Sequence, residues 1–195
     1  MDGKIYDFLL SPLEYLFLTK HRKDLFKEVK GRTLEIGFGT GVNFKFFDIS
    51  IDYTGIDPDL NMSEIAKEKA KSNYRLMEAN AEDLPFENES FDTVITTLVL
   101  CSVENPQKSL EEIFRVLRPG GHFLLIEHIR HQNFYLSNLQ DFLNPTWKKI
   151  AGGCNLNRDQ DFLISKFNFN IVNENLFLNG IFKLWVLEKK LTSTF

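Results

Sequence analysis

The sequence predicts a doubly wound α/β fold: a mostly parallel, seven-stranded sheet with an antiparallel last strand. Three observations predict it. Short strand-like runs alternate with segments of helical spacing from residue 33 to residue 128, and such alternation needs right-handed crossovers that cover both faces of a parallel sheet with helices. The run from Phe91 to Leu100 is almost unbroken in apolar residues, as a strand buried on both faces should be. Near the C-terminus two strand-like runs flank Asn179-Gly180, a dipeptide suited to a tight hairpin, which makes the last two strands antiparallel neighbours.

Taken in order, Leu9, Leu10, Leu13, Leu16 and Phe17 recur at helical spacing after Tyr6, with Ser11-Pro12 able to cap and start a helix. One or two helices are therefore expected up to about Lys30, ended by Gly31. Thr33-Leu34-Glu35-Ile36 reads as a strand running into a glycine-rich turn. A helix is expected after Gly41, a strand at Tyr53 to Ile56, a helix from about Asn61 to Lys71 and a strand at Tyr74 to Met77. A strand at Thr93 to Thr97, a helix at Pro106 to Leu117 closed by Pro119-Gly120-Gly121, and a strand at His122 to Glu127 follow. Helical spacing resumes from Ile129 to Ile150 and near Arg158 to Lys166, before the hairpin strands Phe167 to Leu178 and Ile181 to Glu188. The reading is one domain over 1–195, with an N-terminal helical lid at 1–30, a ligand-binding core at 31–128, and pocket-forming helices plus the hairpin at 129–195.

Composition narrows the function classes. The chain has 195 residues, 43% hydrophobic and 26% charged, the balance of a globular domain. Its 23 basic and 27 acidic residues give a net charge of −4, so broad attraction to nucleic-acid phosphates is not expected. The basic cluster Lys20-His21-Arg22-Lys23 reads as a solvated helix face, with peripheral contact to a membrane surface the lesser reading. No transmembrane segment is expected, because the most apolar N-terminal stretch, Ile5 to Leu18, contains Asp7, Ser11, Pro12 and Glu14. It also lacks the pattern of a signal peptide, which makes the cytoplasm the expected address. Cys101 and Cys154 are too few for a disulfide scaffold and have no metal-ligand spacing, so no metal is expected.

The chemistry concentrates at Leu34-Glu35-Ile36-Gly37-Phe38-Gly39-Thr40-Gly41, where the first strand gives way to the next element, the place where open α/β sheets bind nucleotides. A dinucleotide fingerprint would put its third glycine at position 42, which is Val42. Glu35 is more telling. A pyrophosphate seeks backbone N–H groups and positive potential, and a carboxylate two residues before the loop repels it. S-adenosylmethionine carries an ammonium and a sulfonium instead of phosphate, and both favour a nearby carboxylate. Asp57, at the carboxyl end of the second strand and 57 − 37 = 20 residues past the first glycine, is placed to accept both ribose hydroxyls of an adenosine.

The sequence resembles the class I S-adenosylmethionine-dependent methyltransferases, of the methyltransferase type 11 group, over nearly its whole length. The residues that carry the resemblance are LEIGFGTG at 34–41, GIDPD at 55–59, NAEDLPF at 80–86, SFDTVITTLVLCSV at 90–103, FRVLRPGG at 114–121 and LLIEH at 124–128. It implies a Rossmann-like methyltransferase fold and cofactor contacts at Glu35, Gly37, Gly39, Gly41, Asp57, Pro58, Asn80, Ala81, Glu82, Thr97 and Leu98. Asn80 stands where the family commonly has aspartate, and its amide can still serve the adenine edge. A narrower resemblance, carried by Leu98 to Val103, Glu127-His128, Asn144-Pro145-Thr146-Trp147 and Gly152 to Arg158, is to the alkyl thiol methyltransferases and their bacterial relatives.

Methyl transfer is an in-line displacement whose main requirement is positioning, which can supply roughly 7 to 11 kcal/mol of the barrier, so no catalytic side chain is obligatory. His128, at the end of the fifth strand, is the candidate to orient or deprotonate an acceptor, or else a scaffold histidine. Cys154 is read as a small buried hydrophobe or a pocket residue, Arg158 as a binder of an acidic acceptor or an ion-pair partner, and Cys101 as packing. The fourth strand lacks the Asn/Asp-Pro-Pro-aromatic sequence of base-amino methyltransferases, which disfavours a nucleobase amine. The expected activity is methylation of a small, lipophilic acceptor, a thiol being favoured, with S-adenosylhomocysteine as product. The alternatives are a quinone-ring or phospholipid-amine methyltransferase, or a non-catalytic cofactor-binding pseudo-methyltransferase.

Overall fold

A computed structural model of the protein describes residues 17–191. Residues 1–16 of the expected N-terminal lid lie outside the described residues; of that segment the structure describes α1 (Thr19–Leu25) and a 3-10 turn at Phe26–Glu28. The strands are β1 (Arg32–Ile36), β2 (Asp52–Asp57), β3 (Arg75–Glu78), β4 (Phe91–Thr97), β5 (Leu117–His128), β6 (Phe169–Phe177) and β7 (Phe182–Lys189). The helices after α1 are α2 (Leu60–Lys69), α3 (Pro106–Val116), α4 (Phe134–Ile150) and α5 (Gln160–Ser165). They form one seven-stranded sheet in the order β3-β2-β1-β4-β5-β7-β6. Strands β1 to β5 pair in parallel, and β7 runs antiparallel to both β5 and β6. The expected mostly parallel sheet with its antiparallel last strand is thus present.

Alternation along the strands builds two cores, one on each face of the sheet. On one face Leu34, Ile36, Val94, Phe123, Leu125, Trp185 and Leu187 cluster with Leu110, Ile113 and Val116 of α3. On the other, Ile95, Leu124, Ile126, Leu184 and Val186 cluster with Leu25, Phe26, Phe44, Phe47 and Tyr53. Helix starts are fixed by short polar side chains that accept from otherwise unpaired N–H groups: Asp59 for α2, Asn105 followed by Pro106 for α3, Asn133 for α4 and Asp159 for α5.

Three local expectations are corrected. In place of a helix after Gly41 the chain makes turns and a 3-10 segment at Phe44–Phe46. Phe44 and Phe47 both turn into edge contacts with Tyr53, at 5.5 and 4.9 Å between ring centroids, and Asn43 is drawn inward as a hydrogen-bonding hub; these demands are not met by one helical face. The strand expected at Thr93 to Thr97 does end at Thr97, where Leu98 adopts a left-handed φ of 62°. The hairpin loop is also longer than a two-residue turn: Phe177 pairs with Phe182, and Leu178, Asn179 and Gly180 all have positive φ. The basic cluster is divided as well. Lys20 and Lys23 are exposed, but Arg22 is buried, donating from Nη1 to Asn43 Oδ1 at 2.7 Å.

Candidate active site

The sheet order leaves β1 with β2 on one side and β4 on the other, so the winding reverses there and a crevice opens above the carboxyl ends of these strands. A cavity of about 450 Å³ occupies it, lined by Ile36, Gly37 and Gly39 after β1, by Ile56, Asp57, Pro58, Asp59 and Met62 from β2 and α2, by Ala79 to Glu82, by Thr97, Leu98, Val99 and Ser102 to Glu104 after β4, and by Ala151 and Gly152.

The glycine turn is shaped by two different constraints. Gly37 has φ 71°, and a Cβ there would sit 2.4 Å from Val99 Cγ2, so the crossing of the two loops requires its absence. Gly39 also has positive φ, yet a Cβ there would meet no atom within 4 Å, so its missing side chain leaves open space toward the cavity. Asp57 holds this turn in place: Oδ2 accepts from Gly39 N at 2.8 Å and Oδ1 from Asp59 N at 2.9 Å. Burial pushes its carboxyl above the ordinary range, partly offset by those backbone donors. Each oxygen retains a lone pair for a further donor. Asn80 Oδ1 accepts from Glu82 N at 2.9 Å, and Glu82 Oε1 accepts from Asn105 N at 2.7 Å, which closes the far wall.

Several expected site residues lie behind this surface. Glu35 is fully buried on the aromatic face, its oxygens taken by Asn43 Nδ2 and the Tyr53 hydroxyl, each at 2.5 Å. Asn43 Nδ2 also donates to Thr97 Oγ1 at 2.9 Å, so one amide ties β1, β4 and α1 together. Burial raises the Glu35 carboxyl from 4.5 to about 7 against the pull of those donors and of Arg22. Gly41 belongs to the turn packed on Phe44 and does not line the cavity. His128 does not line it either; its ring lies 4.1 Å from that of Phe182, with Nδ1 3.3 Å from Cys154 Sγ.

Glu127, part of the resemblance motifs but given no role from the sequence, organises the loop after β4. Fully buried, it accepts from the backbone N–H groups of Val99, Leu100 and Cys101 at 2.9, 2.9 and 3.2 Å. These three bonds hold the chain just after the left-handed Leu98, a conformation costing on the order of 1–3 kcal/mol that persists only where its surroundings enforce it. Burial raises the Glu127 carboxyl to about 7. Arg158 serves the same loop, its guanidinium donating to the carbonyls of Leu100 and Val103, a scaffold contact among the described residues. Cys101 and Cys154 Sγ lie 3.4 Å apart, and both are buried. Contact with Cys101 and with His128 pulls the Cys154 thiol down, while contact with Cys154 and burial push Cys101 up. The segment 129–157, expected to form the pocket, reaches the cavity through Ala151 and Gly152, while Phe134, Tyr135 and Phe142 of α4 are 70 to 80% exposed and do not line it.

The electrostatics of the cavity are one-sided. Four carboxylate residues, Asp57, Asp59, Glu82 and Glu104, line it, and among its described lining residues none is Lys, Arg or His. Such a lining repels a pyrophosphate and suits a ligand carrying positive charge, while Asp57 retains acceptor capacity for a diol. The residues present therefore fit an adenosine-bearing sulfonium.

Comparison with known proteins agrees. A family model described as a methyltransferase domain matches residues 34–125. The thiol S-methyltransferase TMT1B of Rattus norvegicus is 35% identical over 178 residues, covering 84% of this chain and 73% of that protein. Its Homo sapiens counterpart is 35% identical over 166 residues, covering 77% and 68%. An S-adenosylmethionine-dependent methyltransferase structure from Mesorhizobium loti shares the fold with a TM-score of 0.69 at 16% identity, covering 87% of this chain and 96% of that one. With the sheet order, the glycine turn, Asp57 and the acidic cavity in place, the chain belongs to the class I S-adenosylmethionine-dependent methyltransferases.

Proposed function

We propose that this methyltransferase acts on a small, lipophilic thiol, and that its cofactor occupies the acidic cavity at the β1–β4 switch point. The single observation that carries the cofactor placement is the lining itself, four carboxylates and, among the described residues, no Lys, Arg or His beside an open Gly39. The thiol rests on the relatives that are thiol S-methyltransferases, and it suits a site whose chief task is positioning, since a thiol with a pKa near 8.5 already presents some thiolate at neutral pH.

In this reading Asp57 accepts from the ribose hydroxyls, the backbone at Gly37 and Gly39 borders the amino-acid portion, Pro58 flanks the ribose, and Asn80, Ala81 and Glu82 border the adenine. Thr97 and Leu98 bound the cavity where the acceptor enters. Glu35 and Gly41 contribute from behind, Glu35 through Asn43 and Thr97, Gly41 by fixing the turn. When bound, the cofactor supplies an electrophilic methyl group: the sulfonium S–CH3 bond breaks as the thiolate S–CH3 bond forms, and the thiol proton has already passed to solvent. The chain's part is positioning. Glu127 fixes Val99 and its neighbours in one conformation, and Ala151 and Gly152 close the opposite wall. His128, turned into the Cys154 and Phe182 contacts, acts as scaffold in this reading.

The test is formation of S-adenosylhomocysteine with a short alkyl thiol, a phenol, a quinol and phosphatidylethanolamine as separate acceptors. Turnover of the thiol, rising with pH until the thiol is ionised, is expected. Turnover of the phenol, quinol or amine with none of the thiol overturns the acceptor assignment, and binding without turnover of any acceptor supports a non-catalytic role.

A further inference from the structure

The fold brings Cys101, His128 and Cys154 together from three separate segments, the loop after β4, the end of β5 and the turn after α4. Their candidate ligand atoms all lie within 4.8 Å of one another, and all three residues are buried. Cys154 Sγ is 3.4 Å from Cys101 Sγ and 3.3 Å from His128 Nδ1. A tetrahedral zinc ion with Zn–S near 2.3 Å and Zn–N near 2.0–2.1 Å would hold its sulfur ligands about 3.8 Å apart and a sulfur and nitrogen about 3.6 Å apart. These two spacings reach those values by outward shifts of a few tenths of an ångström, and the third, between Cys101 and His128, lies within 4.8 Å.

The backbones are fixed independently of any ion. Asn155 donates from both its backbone N and its Nδ2 to the Cys101 carbonyl at 2.8 Å, and Cys101 N donates to Glu127, the residue before His128. The two cysteine segments are thus joined directly, and the imidazole is held by Phe182 at 4.1 Å and Trp147 at 6.4 Å between centroids. Two sulfur ligands and one imidazole select a borderline-soft ion over magnesium or calcium. In the linear sequence these residues have no ligand spacing, which is why the set is visible only in the fold.

We propose that Cys101, His128 and Cys154 form a three-ligand site for zinc that braces the two walls of the cofactor cavity, since Ser102, next to Cys101, and Gly152, two residues before Cys154, line it. Binding replaces the proton of each thiol by a bond to the metal, and both protons pass to solvent. The fourth position is left to water. The proposal is independent of the acceptor assignment.

The experiment uses the reduced full-length chain, stripped of metal. Cobalt(II) titration should give a 1:1 complex with a thiolate-to-cobalt charge-transfer band and the intense visible bands of tetrahedral coordination, displaced by zinc. Cys101→Ser and Cys154→Ser, shown folded by circular dichroism, should each weaken zinc binding against a chromophoric chelator by more than the roughly ten- to hundredfold that loss of an outer-shell partner costs. His128→Asn should do the same while keeping the charge-transfer band. A reduced wild-type chain that binds zinc no better than the Cys101→Ser/Cys154→Ser double variant, or a cobalt complex without the charge-transfer band, overturns the proposal.

Discussion

Glu35 shows how one residue can be recognised for its charge and misplaced in its contacts. Its position before the glycine turn was legible. Strand alternation, however, turns it away from Leu34 and Ile36 onto the aromatic face, where Asn43 and Tyr53 take both oxygens. Nothing in the sequence marks Asn43 as the hub, because a buried amide two residues past the turn has no periodic signature. The raised carboxyl has a pH consequence with a definite sign. Between its ordinary 4.5 and about 7 the folded state holds a proton that the unfolded chain has released, so stability falls as pH rises through that window and is level above it. The loss attributable to Glu35 is at most about 3 kcal/mol. Urea unfolding at pH 5 and at pH 7.5 should therefore give a smaller difference for Glu35→Gln than for the wild type, the remainder coming from Glu127 and the other shifted groups; an unchanged difference would show that Glu35 is ionised throughout.

Also at the residue scale, Asp57→Ala removes the proposed diol acceptor and releases Gly39 N, and should cost about 1–3 kcal/mol of cofactor affinity with the fold retained. Gly39→Val should lose binding for a different reason, since its side chain enters space that is now open and must adopt a positive φ. Equilibrium dialysis against S-adenosylhomocysteine checks both; retained affinity in either variant would move the cofactor away from this turn.

At the scale of elements, the parallel strands and most helix positions followed from alternation, and the least accurate expectations are those where side chains make tertiary demands. The segment after Gly41 has helix-compatible residues, but Phe44, Phe47 and Tyr53 meet edge to face, and the chain turns to bring them there. α1 was read as carrying a solvated basic face, and its Arg22 instead reaches through the cover to Asn43. A buried guanidinium bonded to a buried amide is not visible in a four-residue basic run. Arg22→Ala should lower unfolding free energy by about 1–3 kcal/mol and speed amide exchange in α1 more than in β5, measured by hydrogen exchange. Equal acceleration in both elements would mean that Arg22 supports the whole sheet and not the docking of α1.

For the molecule as a whole, fold class and ligand class were both legible because both rest on features local in sequence: the alternation of elements, the glycine turn and the carboxylates that end the first two strands. The cluster of Cys101, His128 and Cys154 was not legible, because its members are separated by 26 and 53 residues and only the sheet order unites them. The central claim is that the acidic cavity is a sulfonium-cofactor site and not a dinucleotide site. Isothermal titration calorimetry of the full-length chain with S-adenosylmethionine and, separately, with NAD tests it most directly. The account expects saturable one-to-one binding of S-adenosylmethionine that is weakened by Asp57→Ala, and no binding heat with NAD. Saturable binding of NAD, with none of S-adenosylmethionine, would contradict it.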